Sequence, residues 1–266
     1  MNTSPPFRVV QRSAAYWRVT FDSPPINLVT FDTFAALGEL VDQMEADDDV
    51  KVVAFDSADP DFFLAHFDLV PPKQPYSGPT WLDVAARMTR SRVLTIASVR
   101  GRARGVGNEF LLACDMRFAS KEKAILGQPE VGAGITPGGG GTERLPRLVG
   151  RARALEIIAG ADDYDAETAE RYGWINRALP DAELDAYVER LATRIASFDR
   201  QPLAEVKALI NRSTLPKEDD LRAGQDTFRT SLTWPEAQGR IRLLLQRGMQ
   251  QRGDLEYRLG ELIADT

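Results

Sequence analysis

A chain of 266 residues, 43% of them hydrophobic and 27% charged, has ordinary globular composition and enough apolar mass for one large core with an appendage. Lys and Arg total 33 against 39 Asp and Glu, and the net charge of −6 argues against a general nucleic-acid surface, leaving at most a local basic patch. One His and one Cys cannot build a typical His/Cys metal site, and no redox-cofactor motif is visible.

The first residues alternate polar and apolar and carry Pro5 and Pro6, so no secretory leader is expected. No apolar run approaches the roughly 20 residues of a membrane-spanning helix, and a cytoplasmic protein is predicted. Cys114 follows Leu111, Leu112 and Ala113, which predicts a small buried hydrophobe and not a reactive thiol.

Phe7 to Gln11 and Tyr16 to Asp22 read as a hairpin, with Trp17, Val19 and Phe21 on one face at period two. After the Pro24-Pro25 break, Thr30 is placed to cap a helix whose Phe34, Leu37, Val41 and Met44 recur at three-and-four spacing. Asp47 to Asp49 then reads as a solvated turn, since no basic partner pattern accompanies it. Lys51 to Phe55 and Val93 to Val99 are predicted buried strands, separated by a helix around Trp81 to Arg90; this alternation argues for an α/β fold. The proline-rich Pro71 to Pro79 is predicted as a surface loop bordering a substrate entrance.

From Arg151 onward the pattern is helical: Ala154, Leu155 and Ile158, then Leu184 to Ile195, Pro202 to Ile210 and Trp234 to Arg247, with no further strand signal. A boundary near residue 200 divides residues 1–200, a core with the active site, from a helical C-terminal region, 201–266. Leu243, Leu244 and Leu245 are apolar on several faces, which predicts burial against the main body or another subunit.

Two glycine-rich stretches invite chemistry. Gly101 to Glu109 lacks the dinucleotide fingerprint, because Phe110 occupies its third glycine position, and Gly138 to Gly141 lacks the Gly-Lys-Ser/Thr ending of a P-loop. What remains is stabilisation of negative charge developing on an oxygen, a task for backbone amides at a helix N-terminus. A thioester oxyanion hole needs a second such loop, and Phe63 to Leu69 is the candidate.

At these residues the chain resembles the enoyl-CoA hydratase/isomerase (crotonase) family. Phe63 to Leu69 stands where that family has F-x-A-G-x-D-L, and Ile96 to Ala119 where it has I-A-x-V-x-G-x-A-x-G-G-G-x-E-L-x-x-A-C-D-x-R-x-A. Gly127 to Glu130 matches G-x-P-E, and Pro137 to Thr142 matches P-G-x-G-G-T, in the same order. The resemblance covers roughly residues 15 to 200. It implies a repeated ββα spiral with a C-terminal helical region that mediates homotrimers, often paired as homohexamers.

It also implies an acyl-CoA substrate, with coenzyme A entering as part of that substrate and no separate cofactor. Carried over by motif position, Phe67 and Val106 would give the oxyanion-hole N–H groups, Glu109 and Glu130 would hold and activate a water, and the Gly138 amide would orient it. Ala65, His66, Asp68, Leu69 and Gly105 would border substrate or coenzyme A. Alone, a glutamate early in a helix complements its dipole and Glu130 would be a loop acid; the pair of motif positions turns both toward catalysis.

The expected activity is reversible hydration of a trans-2-enoyl-CoA to a 3-hydroxyacyl-CoA. The alternatives are enoyl-CoA isomerisation, acyl-CoA hydrolysis or decarboxylation, and, from another class, a catalytically silent acyl-CoA-binding or scaffold subunit. No nucleic-acid or membrane partner is expected.

Departures from the family pattern give further expectations. His66 and Phe67 replace a Gly-Ala pair, and because positive φ is costly for bulky residues the hole should be shaped differently. Val106 replaces a glycine and should narrow the acyl site. His66 is expected beside coenzyme A or in solvent in a non-catalytic role. Arg100, Arg102 and Arg104 alternate along a strand end, suited to coenzyme A phosphates, to an acyl carboxylate, or to a solvated basic edge. The tail from Glu236 to Gln246 matches the family's E-G-x-x-A-F-x-E-K-R only weakly, so its contacts should differ.

Overall fold

The computed structural model describes residues 5–72 and 75–265. Strands β1 (Phe7–Ser13) and β2 (Tyr16–Phe21) form the expected antiparallel hairpin, with Phe7 opposite Phe21. Trp17, Val19 and Phe21 are buried on one face of β2, and Tyr16 is buried as well.

Helix α1 (Phe31–Ala46) starts where Thr30 accepts a hydrogen bond from the Thr33 N–H while Thr33 caps Thr30 in return, which satisfies two of the free amides at a helix start. Phe34, Leu37, Val41 and Met44 are all buried, as their spacing predicts. The acidic turn after α1 is more than a solvated surface: Arg200 donates to the Asp48 carboxylate at 2.8 Å. That partner lies 152 positions away, beyond the reach of local pattern reading.

The following segments repeat a unit. Strands β3 (Val52–Ser57) and β4 (Phe62–Leu64) precede α2 (Trp81–Arg90), β5 (Leu94–Val99) and β6 (Arg102–Arg104) precede α3 (Val106–Ala113), and β7 (Met116–Ser120) and β8 (Ile125–Gly127) precede α4 (Gly141–Val149). The first strand of each pair joins one sheet and the second joins another. The larger sheet runs β1-β2-β3-β5-β7 and the smaller β4-β6-β8, with β2-β3-β5-β7 and β4-β6-β8 parallel. Each ββα turn therefore stacks on the last, which is the spiral the motif order implied.

Helix α5 (Arg151–Gly160) leads to two strands absent from the sequence reading: β9 (Asp163–Asp165), antiparallel to β8, and β10 (Arg177–Leu179), parallel to β7. Each has three residues at a sheet edge, too short to show a period of two. Between them runs α6 (Ala166–Tyr172). The remaining helices are α7 (Asp181–Ala196), α8 (Arg200–Thr214), α9 (Glu218–Ser231), α10 (Pro235–Gln246), α11 (Asp254–Tyr257) and α12 (Leu259–Leu262).

The main core lies between the two sheets and α1, α2 and α3. A second cluster packs Tyr16, Val52, Ile96 and Phe118 of the larger sheet against Leu184, Val188 and Ile195 of α7. A third joins Ala133 and Ile135 to Ala237, Leu244, Leu259 and Ile263 of the C-terminal helices. Leu244 is fully buried while Leu243 is 43% exposed, so the leucine triplet divides between core and surface. Cys114 is buried, and burial pushes its thiol up to about 12, matching the inert role read from its neighbours.

Buried charges lock the helix that carries the active-site motif. Arg117 donates to the Leu111, Cys114 and Trp174 carbonyls, satisfying acceptors at the C-terminal end of α3. Asp115 accepts from Thr95 of β5 and, at 2.9 Å, from Lys207 of α8, which is itself buried and also donates to the Val93 carbonyl at 2.7 Å.

Candidate active site

The loop after β4 and the start of α3 meet because two glycines allow it. Gly105, between β6 and α3, has φ +51° and ψ −126°, a conformation L side chains avoid. At Gly107 a Cβ would sit 2.2 Å from the Leu64 carbonyl oxygen, so only a glycine lets α3 press against the β4 exit.

That exit loop is held by a parallel bridge: the Val29 N–H donates to the His66 carbonyl at 2.9 Å and the Asp68 N–H to the Val29 carbonyl at 2.8 Å. In such a bridge the N–H of the middle residue, Phe67, points to the opposite side. Val106 is the first residue of α3, whose N–H has no partner within the helix. Both residues line one cavity of about 420 Å³. Neither His66 nor Phe67 is among the residues with positive φ, so the bulky pair sits in unstrained backbone.

Glu109, in the first turn of α3, is buried, and its Oε1 accepts from the Gly139 N–H at 2.8 Å and the Gly141 N–H at 2.9 Å. The Gly139 carbonyl in turn accepts from the Trp81 indole at 3.0 Å. Burial raises the Glu109 pKa, and the two amides pull it partly back.

Glu130 follows β8. Its Oε1 accepts from Gln128 Nε2 at 3.1 Å, and its buried Oε2 has no hydrogen-bond partner among the described residues. Burial, then repulsion from Glu109, raises its pKa. Two carboxyls thus open on one cavity in different company: Glu109 is held by two amides and Glu130 keeps one oxygen free.

Of the other residues singled out from sequence, His66, Leu69 and Gly138 line the cavity, whereas Ala65, Asp68 and Gly105 lie outside its lining. Ala65 is buried in a small cluster with Ile26 and Phe62, Asp68 accepts from the Val70 N–H, and Gly105 backs onto Glu130.

His66 does not reach solvent. Its Nε2 lies 2.8 Å from Glu256 Oε1 of α11 and its Nδ1 lies 3.1 Å from the Phe67 carbonyl. Two acceptors, one on each ring nitrogen, fit the imidazolium form, and the Glu256 charge raises the His66 pKa against the opposing effect of burial.

The three alternating arginines are also committed to partners within the protein, which corrects the three roles considered for them. Arg100 pairs with Asp181 and Asp185, Arg104 is fully buried on Asp163 and the Glu256 carbonyl, and Arg102 donates to the Tyr257 carbonyl. Their partners come from distant elements, so their alternation carried no sign of these contacts.

The remaining walls are mostly apolar and strongly aromatic, with Phe31, Phe34, Phe67, Tyr76, Trp81 and Phe228, and carry Thr80, Gln225 and Arg229 as polar members. Phe34 and Phe67 stack with rings 5.5 Å apart, and Tyr76 stacks on Phe31 at 4.4 Å. Pro72 and Tyr76 place the proline-rich segment along the cavity, although residues 73 and 74 lie outside the described ones. The amides of Gly139 and Gly141, the Trp81 indole and Gln128 were not singled out from sequence. A glycine's amide leaves no side-chain signal, and only the x of G-x-P-E pointed near Gln128.

The model of the enoyl-CoA hydratase/isomerase family matches residues 11–242. The chain is 34% identical to a short-chain-enoyl-CoA hydratase of Clostridium acetobutylicum over 201 residues, 73% of this chain and 77% of that protein. It is 45% identical to a crotonyl-CoA hydratase of Syntrophomonas wolfei over 116 residues, 44% of each. A solved structure from Streptomyces avermitilis, described as a candidate enoyl-CoA hydratase, superposes with a TM-score of 0.94 at 40% identity, covering 100% of this chain and 99% of that one. With the stacked ββα turns, the two converging loops and the paired glutamates already placed, these matches lead to one conclusion: the chain belongs to the enoyl-CoA hydratase/isomerase family.

Proposed function

We propose that the protein catalyses reversible hydration of a trans-2-enoyl-CoA to a 3-hydroxyacyl-CoA, with Glu109 as base and Glu130 as acid. The observation that carries this reading is the unequal pair of buried carboxyls on one cavity. Glu109 is held by two amides that favour its anion, while Glu130 keeps a free buried oxygen suited to a proton.

The Phe67 and Val106 N–H groups would receive the thioester oxygen and draw electron density from C3 of the enoyl group. Water on Glu109 loses a proton to that carboxylate as its oxygen bonds to C3. The resulting enolate charge rests on the two amides until Glu130 gives its proton to C2. Proton exchange between the carboxyls and solvent then restores the starting forms, and dehydration runs the same steps backward.

The aromatic and aliphatic walls favour an apolar acyl chain, with Arg229 as a cation among the lining residues. The first test is loss of the enoyl-thioester ultraviolet band with crotonyl-CoA and a longer enoyl-CoA, with 3-hydroxyacyl-CoA identified as product. Tight binding of both without turnover would overturn the reading in favour of a silent acyl-CoA-binding subunit.

We also propose that the molecule works as a homotrimer or a pair of trimers. Val206, Leu209 and Ile210 of α8 are each more than half exposed and recur at helical spacing, an apolar stripe suited to a subunit contact. Light scattering should give three or six times the 29.5 kDa chain mass, and a monomer at micromolar concentration would exclude this assembly.

A further inference from the structure

A chain of fully buried polar side chains runs from the protein interior to Glu130. The Trp174 indole Nε1 donates to Asn108 Oδ1 at 2.9 Å, Asn108 Nδ2 donates to Gln128 Oε1, and Gln128 Nε2 donates to Glu130 Oε1 at 3.1 Å. Trp174, Asn108 and Gln128 all have a relative exposure of 0%. An amide side chain can be turned end for end, but an indole N–H only donates. Trp174 therefore obliges Asn108 to face it with oxygen, which turns the Asn108 amide nitrogen to Gln128 and the Gln128 nitrogen to Glu130. The direction of every bond follows from one group that cannot be reversed.

A protonated Glu130 must then avoid placing O–H against the Gln128 N–H. Oε1 is taken by that donor, and Oε2 is the oxygen without a partner. We propose that Trp174, acting through Asn108 and Gln128 as positioning residues, sets the acid proton of Glu130 on Oε2, the oxygen that no group among the described residues engages. This deepens the hydratase reading and rests on it for its catalytic meaning. The ionisable group facing Glu130 is Glu109 of α3, on which Glu143 and Arg144 of α4 act in turn, while the nearby His66 has both ring nitrogens engaged elsewhere.

Trp174→Phe keeps a ring in place and removes the N–H. Asn108 and Gln128 are then free to turn, and a turned Gln128 accepts the Glu130 proton on Oε1 and holds it. The expected result is a fall of about tenfold in kcat with KM within about twofold of native. Because a turned Gln128 favours neutral Glu130, the basic limb of the pH profile should move to higher pH. The infrared carbonyl band of protonated Glu130, assigned by its loss in Glu130→Gln, should shift, since its carbonyl oxygen loses a donor while its O–H gains an acceptor.

Gln128→Leu removes the donor without touching Trp174 or supplying an acceptor and should raise that band, so a poorly folded Trp174→Phe leaves the question open to decision. A band and pH profile unchanged in folded Trp174→Phe or Gln128→Leu would overturn the proposal. The infrared readout needs no turnover: a native protein inactive on enoyl-CoA defeats the hydratase reading, while the band still decides where the proton sits.

Discussion

Glu130→Gln is expected to lower kcat by about 10³-fold while leaving the protein folded and KM within a few fold, because glutamine still accepts from Gln128 but holds no transferable proton. Glu109→Gln should cost about as much, for its carbonyl oxygen can still accept from Gly139 and Gly141 while the base is gone. The pH profiles separate the roles. In the native enzyme, activity is expected to rise as Glu109 ionises and to fall as Glu130 ionises, with both limbs above the ordinary carboxyl range because burial raises both carboxyls. Glu130→Gln should erase the basic limb of its residual activity, and Glu109→Gln the acidic one.

The same shifts act on stability. A carboxyl whose pKa is higher folded than unfolded holds a proton that the unfolded chain releases, so its contribution is present below the unfolded pKa and lost as pH climbs through the folded one. Glu130→Gln should therefore denature at higher urea concentration than native at neutral pH. Equal activity of native and Glu130→Gln enzymes would remove Glu130 from the chemistry.

The second large effect is expected at Gly105. A side chain there must adopt φ +51°, and its Cβ would lie 2.8 Å from Glu130 Oε1 and 3.4 Å from His66 Cβ. Relief of that contact shifts the Val106 N–H and the Glu130 carboxyl together, and displacements of about 1 Å in a reacting site cost on the order of 100-fold. Gly105→Ala is thus expected to lose about 100-fold in kcat, with about 1 to 3 kcal/mol of stability lost to the strained backbone. The enoyl-CoA assay and urea unfolding measure the two terms, and near-native kcat would show that the α3 start is not part of the hole.

The long periodic elements were readable from sequence, and the site was readable where side chains carried it. The α1 stripe from Phe34 to Met44 and its Thr30 cap are local patterns, and the structure repeats them residue for residue. Glu109 and Glu130 could be located because each sits in an ordered motif. The strands β9 and β10 escaped because three residues at an edge carry no period, and the commitments of Arg100, Arg102 and Arg104 escaped because their partners arrive from β9, α7 and α11. The grip of Gly139 and Gly141 on Glu109 is made by backbone, to which sequence pattern is blind.

The His66–Glu256 contact ties the β4 exit to α11 across 190 positions of chain. His66 is buried there with Glu256 as its Nε2 partner, in a setting closed to water. Exchange of segments between this protein and a family member must therefore move residues 66 and 256 as a unit. A hybrid that inherits His66 with a foreign tail buries an imidazole whose Nε2 has lost its partner, one that inherits Glu256 with a foreign loop buries a carboxyl without its histidine, and either leaves the Phe67 turn without its tether.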